Sequence, residues 1–349
     1  MMTPDYSTLD SALEIALESG PDLSNGFTSH APMATEAMCA MGRADAVMPW
    51  IENYRRHFTP RPRPSISIDA DRWRDALGVP DRFADWSVFF QNQLKERPWE
   101  QVVRQWAALL AAGLAGAATH GIIRTGHAVR ALANQETPIR RRELGDGLAY
   151  WAATYEELPE GHARVQAGLP SRAIASVPLL PAQLHGHFHT IVAALVKLDD
   201  FPAFAGTISL VDTSGHVSAF ISDLTETFAR AYLANARDVI STVAFVHTVT
   251  APAALRTIAG FLDTGGITTA LPFAWQASAA IYAVYGVNPP QAQSAPAPDE
   301  SAEDLIQRAI ENGDEHVIKF TEACLREHAL NPRPSYLAAA RHVVTALKF

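Results

Sequence analysis

Patterned apolar sequence in this chain repeats at helical spacing almost throughout, without the alternating strand and helix signals of an α/β protein. Ser7-Thr8-Leu9-Asp10 opens an amphipathic run through Leu13, Ala16 and Leu17, and Gly20-Pro21 stops it. Asp71 to Leu77 reads as a short helix closed by Gly78. From Pro98-Trp99-Glu100 the pattern predicts helix as far as Leu132, with Gly113, Gly116 and Gly121 allowing another helix to pack close. Ser301-Ala302-Glu303-Asp304 is a capping box ahead of Leu305, Ile306 and Ile310; Asn312-Gly313 ends that helix and Asp314 caps the next. Strand signals are confined to Ser65–Ile68 and Thr207–Val211. The expectation is an all-α fold: one mostly helical domain over residues 1–349, a flexible Pro/Ala/Gln-rich linker at 288–299, and a C-terminal helical segment, 301–349, packed back on the body.

Composition narrows the partners. Of 349 residues, 48% are apolar and 19% charged, which suits a compact fold and not a disordered one. The balance of 28 Lys+Arg against 37 Asp+Glu leaves a formal charge of −9, and no basic run is present, so neither nucleic acid nor an anionic membrane is an expected partner. Cys39 and Cys324 are too few for a disulfide framework or a four-thiolate metal site. The first twenty residues carry Asp5, Asp10, Glu14 and Glu18 and read as no signal peptide. The apolar run Trp106–Thr119 is shorter than the ~20 residues a bilayer span needs and reads as a buried helix. A reduced, cytoplasmic protein is expected, its oligomeric state open.

Thirteen histidines direct attention to metal chemistry. None has a carboxylate two residues later or a Glu three residues before it, which removes the usual two-His, one-carboxylate and di-iron helix patterns. HExxH, GxSxG, GxxxxGK and GxGxxG are all absent, and with the last goes a recognisable dinucleotide site. His185-Gly186-His187-Phe188-His189 draws the eye as a zinc pattern of barrel hydrolases. It follows the Pro-rich stretch Val177–Pro181, opens the apolar run Ile191–Leu198, and has no acidic neighbour; a helix start fits it better than ligation.

A weak internal repeat is more informative. His30 and His316 are each followed, at the fifth to seventh positions, by Thr-Glu-Ala: Thr35-Glu36-Ala37 and Thr321-Glu322-Ala323. His120 and His247 are each followed by small residues and then by Arg130 or Arg256. Seven residues after the four histidines stand Ala37, His127, Ala254 and Ala323, nearly the same helix face two turns on. One reading is four helices that each bring one imidazole to a common metal, with room beside it for a ligand. The other is hydrogen-bonded core histidines that recur by chance in an Ala-rich chain. His127, about 10.5 Å along a helix from His120, suits proton transfer or a supporting role beside the same cavity, or plain packing. Lys319, one turn after His316, belongs either to a solvated face with Glu315 and Glu322 or, if buried, is a neutral amine able to add carbon dioxide and give an anionic carbamate.

At these residues the chain resembles the questin oxidase-like family. The likeness rests on Ser29-His30-Ala31-Pro32-Met33 with Glu36-Ala37, and on the long block Ala118–Leu132 that contains His120, Arg124, His127 and Arg130. It continues through Phe245-Val246-His247 to Ala251–Arg256, and through Gly313-Asp314-Glu315-His316-Val317-Ile318-Lys319, so that the blocks span residues 29 to about 327. The resemblance implies an α-helical oxygenase that opens the ring of anthraquinone-like aromatic polyketides, as from questin to a benzophenone. It implies a mononuclear Fe(II) held by four histidines, His30, His120, His247 and His316 (or His127 as the fourth), with carboxylated Lys319 as a further ligand. On that reading dioxygen and a small aromatic molecule are the partners, and the ring breaks by a Baeyer–Villiger-like migration. His127 moves protons, Arg124 holds a phenolate, and Trp151, Tyr155, Trp275 and Tyr282 are candidate walls for a flat substrate. Electrons come from an external NAD(P)H-derived reductant or a separate reductase. Two other classes remain: a carbamylated-lysine hydrolase that uses the 185–189 stretch in a strand-rich barrel with two zinc ions, and a non-catalytic helical protein that binds an aromatic ligand.

Overall fold

Caps and prolines decide where this chain turns, and the turns leave helices in contact over most of their length. The computed structural model describes residues 3–162, 166–184, 186, 188–290 and 301–347. In chain order the helices and strands are α1 (Leu9–Ala16), β1 (Ser19–Leu23), α2 (Ala31–Ala40), α3 (Ala44–Tyr54), β2 (Phe58–Pro60), α4 (Phe83–Glu96), α5 (Trp99–Leu109), α6 (His120–Asn134), α7 (Pro138–Ala153) and the short α8 (Pro170–Ala173) and α9 (Ile191–Leu195). The long α10 (Val217–Asn235), α11 (Val239–Ala259) and α12 (Thr264–Tyr285) follow, then α13 (Ala302–Asn312), α14 (Glu315–Leu330) and α15 (Pro334–Ala346). Short 3-10 turns join several of them. Among the described residues the fold is all-α apart from one antiparallel strand pair, β1 with β2, and two isolated bridges. That leaves no strand-rich barrel for the hydrolase reading.

Several boundaries follow from local chemistry. Asp238 and Ser241 form a reciprocal capping box on α11, Ser301 and Asp304 another on α13, and Gly313 closes α13 at φ 79°. Asp314 then accepts the first amides of α14, from His316 and Val317. Pro252 lies inside α11 and removes the amide that would have bonded the Thr248 carbonyl; the Ser278 hydroxyl of α12 donates to that carbonyl at 3.1 Å. By length and composition α11 would cross a membrane, yet 78% of its most apolar window is buried within the protein, where α6, α10, α12 and α14 pack around it.

Four local expectations are corrected. Helix is not continuous from Pro98 to Leu132: α5 stops at Leu109, 3-10 turns occupy Ala111–Gly113 and Gly116–Thr119, and α6 restarts at His120. Gly116 explains the break, since a Cβ there would stand 1.9 Å from the Thr154 carbonyl oxygen, so the backbones cross where a regular helix would not fit. Thr207–Leu210 ends a 3-10 segment, and Val211 makes a single isolated parallel bridge to Gly168 in place of a strand. Ser65–Ile68 is an irregular loop whose Ser65 and Ile66 amides donate to Asp85. Asp71–Leu77 holds only a 3-10 turn, Trp73–Ala76. The strand pair carries no sequence signal of its own: Gly20-Pro21, read as a helix stop, lies in β1, and its partner β2 opens the Pro-rich stretch Thr59–Pro64; Ser19 lies opposite Pro60.

Most of the apolar core lies between α4–α7 and α10–α12, with α14 and α15 closing one side; a second cluster lies under α1, α2 and α3. Helices α14 and α15 pack together, α14 also packs on α2 and α11, and α13 packs on both. The stretch at 288–299 falls mostly outside the described residues, as do His185 and His187, while His189 is exposed just ahead of α9.

The helices that carry the four histidines of the repeat touch in a closed order: α2 with α6, α6 with α11, α11 with α14, and α14 with α2. Small residues permit the α6–α11 crossing, where a Cβ on Gly126 would come within 2.7 Å of the Ala254 methyl and 3.0 Å of its carbonyl oxygen. We expect Gly126→Ala to destabilise the protein by about 1–3 kcal/mol, read as a lower denaturant midpoint with an unchanged slope.

Candidate metal centre

Each histidine of the repeat reaches the centre from a different structural position. His30 is the residue immediately before α2, His120 is the first residue of α6, His247 lies in the middle of α11, and His316 is in the first turn of α14. Their rings form a closed circuit in the order of the helix contacts. Centroids are 4.7 Å apart for His30 and His120, 4.6 Å for His120 and His247, 5.6 Å for His247 and His316, and 4.5 Å for His316 and His30. His30, His247 and His316 each present a ring nitrogen within 4.8 Å of one another.

Two carbonyls fix the protonation of two of these rings. The Ala117 carbonyl lies 2.5 Å from Nδ1 of His120, and the Val243 carbonyl lies 2.7 Å from Nδ1 of His247. A carbonyl only accepts, so each Nδ1 carries the hydrogen and each Nε2 of the neutral ring is a bare lone pair. Those lone pairs face each other at 3.1 Å, and Nε2 of His30 lies 2.7 Å from the same His120 nitrogen. One hydrogen on His30 could satisfy a single pair of the three nitrogens. The remaining convergence is repulsive unless a cation lies within it. Adjacent ligands at about 2.1 Å from one ion, at right angles, stand about 3 Å apart, which is the spacing found here.

Protonation does not relieve this crowding. Burial first, and then the neighbouring Lys319 and the other histidines, hold His30 well below the ordinary imidazole range. Burial and Lys319 do the same for His120, and burial and His120 for His247. Nδ1 of His30 is buried and accepts or donates no hydrogen bond among the described residues; the nearest acid, Glu315, is 3.4 Å away but poorly aligned.

Lys319 lies one turn along α14 from His316 and is 1% exposed, so the solvated-face reading fails. Burial lowers its amine to about 7, against the opposing pull of Glu315 and Asp314. No hydrogen bond or ion pair reaches that amine among the described residues.

Beyond the imidazoles, a layer of charge ties the same helices together. Arg130 of α6 donates to Glu36 of α2, at 2.7 Å from Nε, and to Glu322 of α14. Arg326 of α14 bonds Glu322 at 3.0 Å and the Ala253 carbonyl of α11 at 3.0 Å. Both glutamates are those of the Thr-Glu-Ala repeat, six residues past His30 and His316, which gives that repeat a physical meaning: each copy supplies one ring of the circuit and one brace. Burial pushes Glu36 up, but the Arg130 charge and the bonds from His127 and Arg130 outweigh it and hold the carboxyl well below the usual range.

His127 belongs to this second layer. Its Nδ1 lies 2.6 Å from Glu36, and burial, outweighing that bond, keeps it below the ordinary imidazole range and neutral. No ring contact or hydrogen bond joins it to the four-imidazole circuit among the described residues, so His316 is the fourth member. Arg124 is turned away as well. Its Nε and Nη2 each donate to Glu143 at 2.7 Å, in a buried group with Asp146 and Arg61.

Three of the four candidate aromatic walls are engaged elsewhere. The Trp275 indole N–H donates to the Thr207 carbonyl, Tyr282 donates to the Asn288 carbonyl, and Tyr155 covers Gly113 while its hydroxyl meets Glu157. Trp151 packs against Gly121, the residue after His120, and its buried indole nitrogen has no partner. Two surface hollows, along Pro64–Ile68 and along Val211–Gly215, include none of these residues.

Among protein families, the one described as Questin oxidase-like matches residues 27–206. That span contains His30, His120, His127 and Trp151, and ends before His247, His316 and Lys319. No curated protein matches the chain.

The buried histidines make stability depend on pH. Unfolded, each takes up a proton near its ordinary 6.5; folded, His30, His120 and His247 resist it to far lower pH. Their contribution is therefore complete above pH 6.5 and lost as pH falls below it, at up to about 1.4 kcal/mol per pH unit for each ring. Denaturant titrations of the metal-free protein from pH 7 to 5 should show this decline, and His247→Ala should make it shallower.

Proposed function

The chain belongs to the questin oxidase-like family, and from that premise we propose that it is a mononuclear non-haem iron oxygenase that opens or oxygenates the ring of an anthraquinone-like aromatic polyketide. Membership points to an oxygenase of aromatic polyketides; the metal, the ring opening and the ligand set are our reading of this chain. The observation that carries it is the approach of the Nε2 lone pairs of His120 and His247, with both Nδ1 atoms tied to carbonyls.

His30, His120, His247 and His316 would hold the iron through ring nitrogens. The donor set fits: neutral imidazoles suit Fe(II), and converging lone pairs need a cation. Imidazole ligands leave the metal charge unbalanced, and α2, α6 and α14, whose first turns lie at or beside His30, His120 and His316, direct positive ends toward the same place. An anionic group is therefore favoured there. Lys319 supplies it as a carbamate: the neutral amine attacks carbon dioxide, a C–N bond forms, and one proton leaves to solvent. An amine near 7 is neutral enough at physiological pH for that addition.

When bound, iron supplies the means of bringing dioxygen to the ring carbon beside a carbonyl, as a Baeyer–Villiger-like cleavage requires. The protein's part is to exclude water, through the buried α2–α6–α11–α14 circuit, and to keep ligand nitrogens unprotonated. His127, with Nδ1–H held by Glu36, retains Nε2 as its one basic atom and so holds a proton there if it moves one at all. Trp151 is the aromatic we assign to the substrate side. A reductant, derived from NAD(P)H or delivered by a separate reductase, acts from outside the chain.

Elemental analysis after anaerobic purification tests this. We expect about one iron per chain in the parent, and far less in His247→Ala and Lys319→Ala. Parent protein without stoichiometric iron would leave only a helical aromatic-binding protein, and unchanged iron in Lys319→Ala would remove the carbamate. Depleting carbon dioxide should lower Fe(II) affinity, with bicarbonate restoring it.

A further inference from the structure

Three successive residues with side chains, Ala117, Ala118 and Thr119, hold φ values of 45°, 54° and 70°. Left-handed backbone disfavours any Cβ, and a β-branched residue such as Thr most of all. The glycine available nearby, Gly116, stands outside the stretch. The turn is buried, with Thr119 1% exposed and its hydroxyl without a partner, so hydrogen bonding by that side chain does not explain it. Such outliers persist where surrounding structure enforces them, and they cluster at functional sites.

Comparison with His247 shows what the turn achieves. His247 lies mid-helix, and its Nδ1 finds the carbonyl of Val243, one right-handed turn back. His120 is the first residue of α6 and has no helical turn behind it. The left-handed turn instead brings the Ala117 carbonyl round to receive both the backbone N–H and the ring Nδ1–H of His120. Two different backbones thus impose the same tautomer on two neighbouring rings.

We propose that Ala117–Thr119 is a positioning element for His120: its left-handed turn fixes the Nδ1–H tautomer and aims the bare Nε2 at His30 and His247. The consequence for metal affinity rests on the iron-centre reading; the consequence for the tautomer does not. Ala117 is the place to test it, because it alone of the three is not fully buried. Asn and Val are close in volume but opposite in their tolerance of left-handed backbone.

The imidazole nitrogen spectrum of 15N-histidine-labelled apoprotein is the first readout, with His247 as internal reference. Parent and Ala117→Asn should show His120 as the Nδ1–H form, whereas Ala117→Val should show a tautomer mixture, with the His247 signal and far-ultraviolet helix content unchanged. Co(II) titration is the second: Ala117→Asn within about threefold of the parent, Ala117→Val about tenfold weaker. Identical His120 spectra in the Asn and Val variants would overturn the proposal. A parent that binds no Co(II) would instead sink the iron-centre reading, and the tautomer comparison would still decide the role of the turn.

Discussion

Three buried imidazoles, the partly buried ring of His316 and the buried amine of Lys319 are gathered in one place, with Asp314 and Glu315 at its edge, and the rest of the structure is organised around keeping that group together. In water the Lys319 amine would carry a proton and the rings would take one up near pH 6.5; here burial, with the neighbouring charges, holds His30, His120 and His247 well below that range and lowers the amine. A neutral ring whose hydrogen is held at Nδ1, as on His120 and His247, presents Nε2 as a lone-pair donor. The same rings would repel one another if nothing joined them. A site of this kind cannot arise from loose packing, which explains why each ring comes from a helix that touches the next around a closed circuit.

The charge layer provides the rigidity that the histidine layer lacks. Arg130, itself on α6, spans α2 and α14, and Arg326 spans α14 and α11, so the four helices are cross-linked close behind the four imidazoles. Breaking a buried pair of this sort strands a charge in low dielectric, typically at a cost of about 3–5 kcal/mol, so motion of one helix relative to the others is strongly opposed. His127 and Tyr6 complete the layer by bonding Glu36. The Thr-Glu-Ala motif thus has little to do with substrate and much to do with geometry.

Local backbone and global packing disagree at one place, between α5 and α6. Ala-rich sequence there has every reason to continue as helix, yet the chain breaks, crosses the backbone of Thr154 at Gly116, and turns left-handed before His120. Right-handed continuation would run through the space taken by residues 154–156. The preference of each residue is overruled by a crossing that depends on residues about forty positions away.

Much was legible in the sequence. The helical period, the capping boxes at Ser301 and Asp314 and the scarcity of strand signals determined an all-α fold, because these are short-range effects written within a few residues. Family membership was legible from the blocks around His30 and His120, and four histidines at matched positions marked the centre. What only the tertiary structure decided was which groups meet. His316 and not His127 closes the circuit, Arg124 is committed to Glu143, Lys319 is buried and not solvated, and Trp275 and Tyr282 bond backbone carbonyls. Helical periodicity specifies a face and leaves open which partner that face meets. Charged side chains as long as Arg and Lys reach several ångströms to either side, so their destination is settled by the competing partners that packing brings within range.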